Sequence, residues 1–124
     1  MRPIKFRAWH KTLKEMLDVA EISYYAGVPL VNVFRAHHEL GTERLDNKTV
    51  VLMQFTGLHD KNGKEIWEGD VVSFPQIDGK SIVSEIFYNE NRAMFTTNPM
   101  IYLANGCGEV LGNIYENPEF LETK

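Results

Sequence analysis

Apolar and polar residues alternate over residues 4–9, where Ile4, Phe6 and Ala8 are set against Lys5, Arg7 and Trp9. A period of two places alternate side chains on opposite faces, so this segment predicts a half-buried strand. A short polar run, residues 10–14, precedes apolar residues 16–19, which predicts a hairpin with a loop of four or five residues, extended by Ile22, Tyr24 and Tyr25. Gly27 and Pro29 punctuate the chain next. Residues 30–48 show no clean period. Val31, Val33 and Phe34 fit a strand, residues 34–40 fit two helical turns capped by Gly41, and the region reads as an irregular excursion with at most one short helix. Asp46-Asn47 is turn chemistry, because both side chains bond nearby backbone.

The densest pattern is residues 52–72, LMQFTGLHDKNGKEIWEGDVV. Residues 50–55 are apolar at five of six positions, as expected of a strand buried on both faces. Asn62-Gly63 predicts a type I′ hairpin turn, after which residues 64–67 return antiparallel. Glu68-Gly69-Asp70 turns the chain again, with Asp70 placed to accept backbone hydrogen bonds, and residues 71–74 begin another strand. Leu52, Met53, Phe55, Ile66, Val71 and Val72 are the core candidates. Gly57, Asn62, Gly63, Trp67, Gly69 and Asp70 form a structural motif, with the three glycines read as turn geometry.

Residues 80–88 read as one long strand, turned back at 89–91 into residues 93–96. Residues 101–103 and 110–114 would make a last short pair around Asn105-Gly106-Cys107-Gly108, and Pro118 suits the first position of a single helical turn. No repeat or linker interrupts this series. The reading is one mainly β domain over residues 1–124: a small barrel or highly curved antiparallel sheet built of hairpins, with at most one or two short helices.

Composition changes this picture little. The 124 residues, 44% apolar and 24% charged, suit one ordinary globular domain. No apolar run approaches the ~18 residues that span a bilayer, and residues 1–20 lack the apolar core of a signal peptide, so the expected location is the cytoplasm, with no membrane partner. The single cysteine, Cys107, excludes an internal disulfide framework.

A net charge of −4 argues against coating nucleic acid through the overall field. The charge is uneven, however, because residues 1–14 carry five Lys or Arg and no acid. Arg2, Lys5, Arg7, Trp9 and Lys11 are therefore the candidate nucleic-acid-binding residues, a basic stretch with interleaved aromatics; Lys5, Arg7 and Trp9 share one strand face. Against this, a tryptophan on a strand commonly folds onto apolar neighbours while the charges are merely solvated. Cys107 between two glycines, with His10, His37, His38 and His59 elsewhere, has no nucleophile–base spacing, so no catalytic residue is assigned. Adjacent His37 and His38 would point to opposite faces of a strand, and zinc-type cysteine spacing is absent, so no metal and no cofactor are expected. Glu65, Glu68 and Asp70 gather near Trp67 and could mimic an acid–base pair, but Glu68 and Asp70 flank a turn glycine, where solvated or turn-capping side chains are the normal finding.

Three stretches, residues 1–9 (MRPIKFRAW), 52–72 and 112–122 (GNIYENPEFLE), together resemble the YopX family of phage and prophage proteins. They bracket nearly the whole chain in the family's order and spacing. Two departures are visible: Trp67 stands where the family often has tyrosine, and residues 30–48 match no part of the pattern. The resemblance implies a β-rich domain with an SH3-type barrel at its centre, encoded by a phage or prophage. It implies no activity, catalytic residue or cofactor. The expected function is a non-enzymatic accessory protein acting as an interaction module that self-associates as a homo-oligomer and binds a phage or host protein, because short apolar strands have edges to cover. The alternative is a nucleic-acid-binding regulator that uses the basic N-terminal strand.

Overall fold

The computed structural model describes residues 2–34 and 42–122. The chain, read from its sequence as one domain, forms two compact units, one of Ile4–Gln54 and one of Met1–Pro3 with Phe55–Lys124.

The first unit is an antiparallel sheet of β1 (Phe6–His10), β2 (Glu15–Tyr25), β3 (Val28–Phe34), β4 (Thr42–Asp46) and the start of β5 (Val50–His59), in the order β4-β3-β2-β1-β5. Register places Ala8 opposite both Leu17 and Leu52, Val19 opposite Val33, and Val31 opposite Leu45. These residues line one face, and Ala8, Leu17, Val31, Val33 and Val50 are its buried core. The β1–β2 turn lies where the alternation predicts it. His10 closes it twice, as its carbonyl accepts from the Lys14 N–H and its Nδ1 from the Leu13 N–H.

Residues 30–48 correct the expectation of an irregular excursion: β3 and β4 are paired strands, Leu30 opposite Asp46 through Phe34 opposite Thr42. The sequence of β4, TERLD, has one apolar residue, so its strand state comes from ladder bonds to β3 and not from its own pattern. The helical alternative ending at Gly41 lies outside the described residues. Asp46 supports the following turn as expected, its Oδ1 accepting from the Lys48 N–H and from the Thr49 N–H and hydroxyl. The Thr49 hydroxyl leads those bonds in holding the Asp46 carboxyl below the usual range.

The second unit contains a three-stranded sheet, β11 (Glu109–Asn113), β7 (Asp70–Pro75) and β8 (Ser81–Glu85), a hairpin of β9 (Phe87–Asn89) and β10 (Met94–Thr96), and β6 (Glu65–Trp67) paired with the end of β5. Ile66, Val72, Phe74 and Ile86 form its core, with Leu58, Phe95, Ile101, Leu103, Cys107 and Val110 packed against them. Burying each such Val, Ile or Phe contributes about 1.5–3 kcal/mol. Among the described residues the fold is mainly β and antiparallel, with one short helix, α1 (Glu119–Glu122), following Pro118.

Several expected boundaries move. Residues 80–88 are two strands, because Ile86 leaves the ladder: its N–H donates to the Asp70 carbonyl and its own carbonyl accepts from the Gly69 N–H. Residues 101–103 are not a strand; β11 pairs with β7 instead, and Ile101 and Leu103 reach the core from irregular backbone. Gly57 is not at a turn. It sits inside β5 at φ +88°, where the register to β6 shifts, and the Thr56 hydroxyl accepts the Leu58 N–H there while donating to the Ile66 carbonyl. That is a bulge built around a glycine.

Candidate functional site

The motif of residues 52–72 is organised by two buried aspartates. Asp60 is 3% exposed and accepts three backbone N–H groups: Asn62 and Lys64 on Oδ1 and Val110 on Oδ2, each at 2.9 Å. Burial pushes its carboxyl up, but the bonds from Val110, Lys64 and Asn62 prevail and hold it below the usual carboxylate range. The loop it governs is not the expected type I′ turn. Gly63 donates to the Asp60 carbonyl and has φ +81°, whereas Asn62 is not in the left-handed region. The turn is therefore centred on Lys61-Asn62, with Gly63 as a following bulge, the geometry that brings the Asn62 and Lys64 N–H groups onto one oxygen. The same loop is tied to residues 105–110 by Lys61 N–H to Gly108 carbonyl, Gly106 N–H to His59 carbonyl and His59 N–H to Asn105 Oδ1.

Asp70, 2% exposed, accepts the Trp67 N–H at 2.8 Å, as its place in the turn predicts. Trp67 packs on Phe55 at 5.4 Å, and Phe55 also meets the His59 ring edge-on at 5.8 Å. Asn113 plays the corresponding part in residues 112–122, accepting from Tyr115 and Glu116 N–H and donating to Glu116 Oε1. These polar side chains are spent on backbone, which accounts for the motifs as folding devices.

The basic N-terminal candidates do not form one open face. Arg2, Lys5 and Lys11 are exposed and Arg7 is half-buried. Trp9 is only 7% exposed, held between its cross-strand neighbours Met16 and Val51. Its ring offers no stacking platform. Cys107 is half-buried against the core of the second unit. His10 is buried in its turn, His59 is exposed, and His37 and His38 lie outside the described residues. Among the described residues no group of three or more His, Cys, Asp or Glu side chains is arranged to hold a metal ion. No described helix is long and apolar enough to cross a membrane. Burial pushes up the carboxyl of Glu85, and burial followed by the charges of Glu85 and Glu68 pushes up the phenol of Tyr115.

What the sequence reading passed over is the tip of the β2–β3 hairpin. Tyr25 is paired with Val28 across Ala26-Gly27, and both loop residues have positive φ, +50° and +80°. This is the two-residue type I′ turn, with alanine in the position where asparagine was the expected signal. The hairpin outruns its neighbours: β1 pairs with β2 only as far as Asp18, and β4 with β3 only as far as Leu30. Tyr24, Tyr25 and Val28 consequently stand exposed, the tyrosines at 73% and 76%. Beside its root an open groove of about 310 Å³ separates residues 4–6 from residues 19–22.

A family model described as "YopX protein" matches residues 5–122. Solved structures that resemble the chain include protein EF1440 from Enterococcus faecalis, 27% identical with a TM-score of 0.64, the match covering 98% of this chain and 99% of that one. Protein yopX from Bacillus subtilis is 18% identical with a TM-score of 0.57 over 97% and 98% of the two chains, a likeness of fold. Among proteins with curated descriptions, none matches.

Proposed function

The chain belongs to the YopX family, and from that premise we propose that it is a non-enzymatic phage or prophage accessory protein, acting in the bacterial cytoplasm as an interaction module that self-associates. The observation that carries this reading is the contrast between the family motifs and the hairpin tip. The motif aspartates and asparagine are committed to backbone donors, while Tyr24, Tyr25 and Val28 are held out in solvent beside a two-residue turn. Exposed tyrosines on a preformed hairpin offer contact area at low entropic cost. We further read the second unit as the SH3-type barrel of the family, with β11-β7-β8 and the two hairpins wrapped on Ile66, Val72, Phe74 and Ile86.

The rival reading, a nucleic-acid-binding regulator, has less behind it, because the tryptophan it needs is buried. Sedimentation velocity across the micromolar range tests the proposal. A concentration-dependent oligomer is expected, and a monomer at every concentration would refute self-association.

A further inference from the structure

We propose that the self-association just described is made by one strand edge, residues 20–25 of β2, pairing antiparallel with the same edge of a second copy. The proposal rests on the reading of the protein as a self-associating module and names the surface. Because Ala26-Gly27 forms a two-residue type I′ turn, Tyr25 and Val28 are a hydrogen-bonded pair, and bonding alternates along the hairpin. Ser23 therefore bonds Leu30, whereas Tyr24 opposite Pro29 and Ile22 opposite Val31 turn their backbone groups outward. Proline, which has no N–H, occupies one of these outward positions on β3.

The two edges of the tip thus differ. On β3, beyond its last pairing with β4 at Leu30, the outward position is Pro29, which offers no donor and guards that edge. On β2, beyond Asp18, Ile22 and Tyr24 present both N–H and C=O, and no described strand pairs with them. Nothing in residues 21–25 guards this edge: there is no proline or lysine, and the bulge lies before it, between Val19 and Glu21.

The stretch AEISYYAG is also compatible with its own two-fold image. With Ser23 on the axis, Ile22 lies opposite Tyr24 of the second copy and Tyr24 opposite its Ile22, both as hydrogen-bonded pairs that match an aliphatic with an aromatic side chain. Glu21, the one charge, then faces Tyr25 of the second copy, so no like charges meet. The small Ala26-Gly27 tip of each copy falls alongside Ala20 of the other, where the open groove between residues 4–6 and 19–22 has room for it.

Charge exchange at Ser23 tests this. The symmetric register puts two Ser23 side chains opposite each other, so Ser23→Lys and Ser23→Glu should each weaken self-association at least about tenfold by like-charge repulsion. An equimolar mixture should restore it as a one-to-one pair, a result that also shows both variants folded. Tyr24→Pro, which removes an outward donor opposite the natural Pro29, should be monomeric with an unchanged circular dichroism spectrum. An oligomeric wild type whose Ser23 variants and Tyr24→Pro associate unchanged would overturn this interface and leave self-association standing. A wild type that stays monomeric would overturn both.

Discussion

Gly108 and Gly106 lie two residues apart in one loop and form a matched pair of perturbations. Both have left-handed backbone, φ +79° and +80°. A side chain there costs an L-residue about 1–2 kcal/mol. Alanine also lowers the entropy of the unfolded chain, returning about 0.4–1 kcal/mol, the same at either site. The surroundings differ. A Cβ at Gly106 meets nothing within 4 Å, whereas at Gly108 it would lie 2.7 Å from Val72 Cγ1 and 2.9 Å from Phe74 Cε1. Val72 and Phe74 are 0% and 2% exposed core residues and have little room to retreat. Such overpacking costs about 1–3 kcal/mol, so Gly108→Ala should be less stable than Gly106→Ala by that amount. A chain of 124 residues has an unfolding entropy near 2.1 cal/mol/K per residue, which makes the difference about 4–12 °C in Tm. Parallel thermal melts and urea titrations of the two variants measure it, with equal m-values required before midpoints are compared. If Gly106→Ala is as destabilising as Gly108→Ala, the close approach of this loop to Val72 and Phe74 is not what holds Gly108 in place.

Three further outcomes are expected. Asp60→Ala should cost about 2–4 kcal/mol by orphaning three backbone donors; because the folded carboxyl lies below its unfolded value near 4, the stability it contributes is present above about pH 4 and is lost as pH falls further, so acid titration of Asp60→Asn should show a shallower loss than wild type. A Cβ at Gly112 would run into Asn117 Oδ1, so Gly112→Ala should destabilise by about 1–3 kcal/mol, and urea titrations should show a smaller penalty in an Asn117→Ala background, the sign of a coupled pair. A single-stranded oligonucleotide should bind no more tightly than about 10⁻⁴ M at physiological salt by fluorescence anisotropy; micromolar binding that disappears in Lys5→Glu/Lys11→Glu would return function to the basic segment.

The elements whose side chains report their own burial were legible. Alternation located β1 and the first part of β2, the apolar run located β5, and Asp70 capped the turn assigned to it. Failures came where a neighbour decides. β4 is polar and exists because β3 offers it a ladder. The Asn62-Gly63 signal lost to the carboxylate of Asp60, which gathers N–H groups from both sides of the loop and from distant Val110. Ile86 divides the single strand expected over residues 80–88 because its backbone is claimed by the Gly69-Asp70 turn.

The hairpin tip poses the same problem. Nothing in the pattern of β2 says that β1 stops pairing with it at Asp18, since a free edge is a difference between two strand lengths. One local signal was nevertheless present. Successive strand residues face opposite ways, so Tyr24 and Tyr25 cannot both enter one core. A strand carrying two adjacent large aromatics either lies between two apolar layers or runs into solvent. The glycine two residues on and the proline after it exclude a strand continuing between layers, and solvent is what remains. By that reasoning the exposed tyrosines follow from four residues within six positions, Tyr24, Tyr25, Gly27 and Pro29, and under the proposed pairing Pro29, near the start of β3, is also what would direct a second copy to β2 and away from β3.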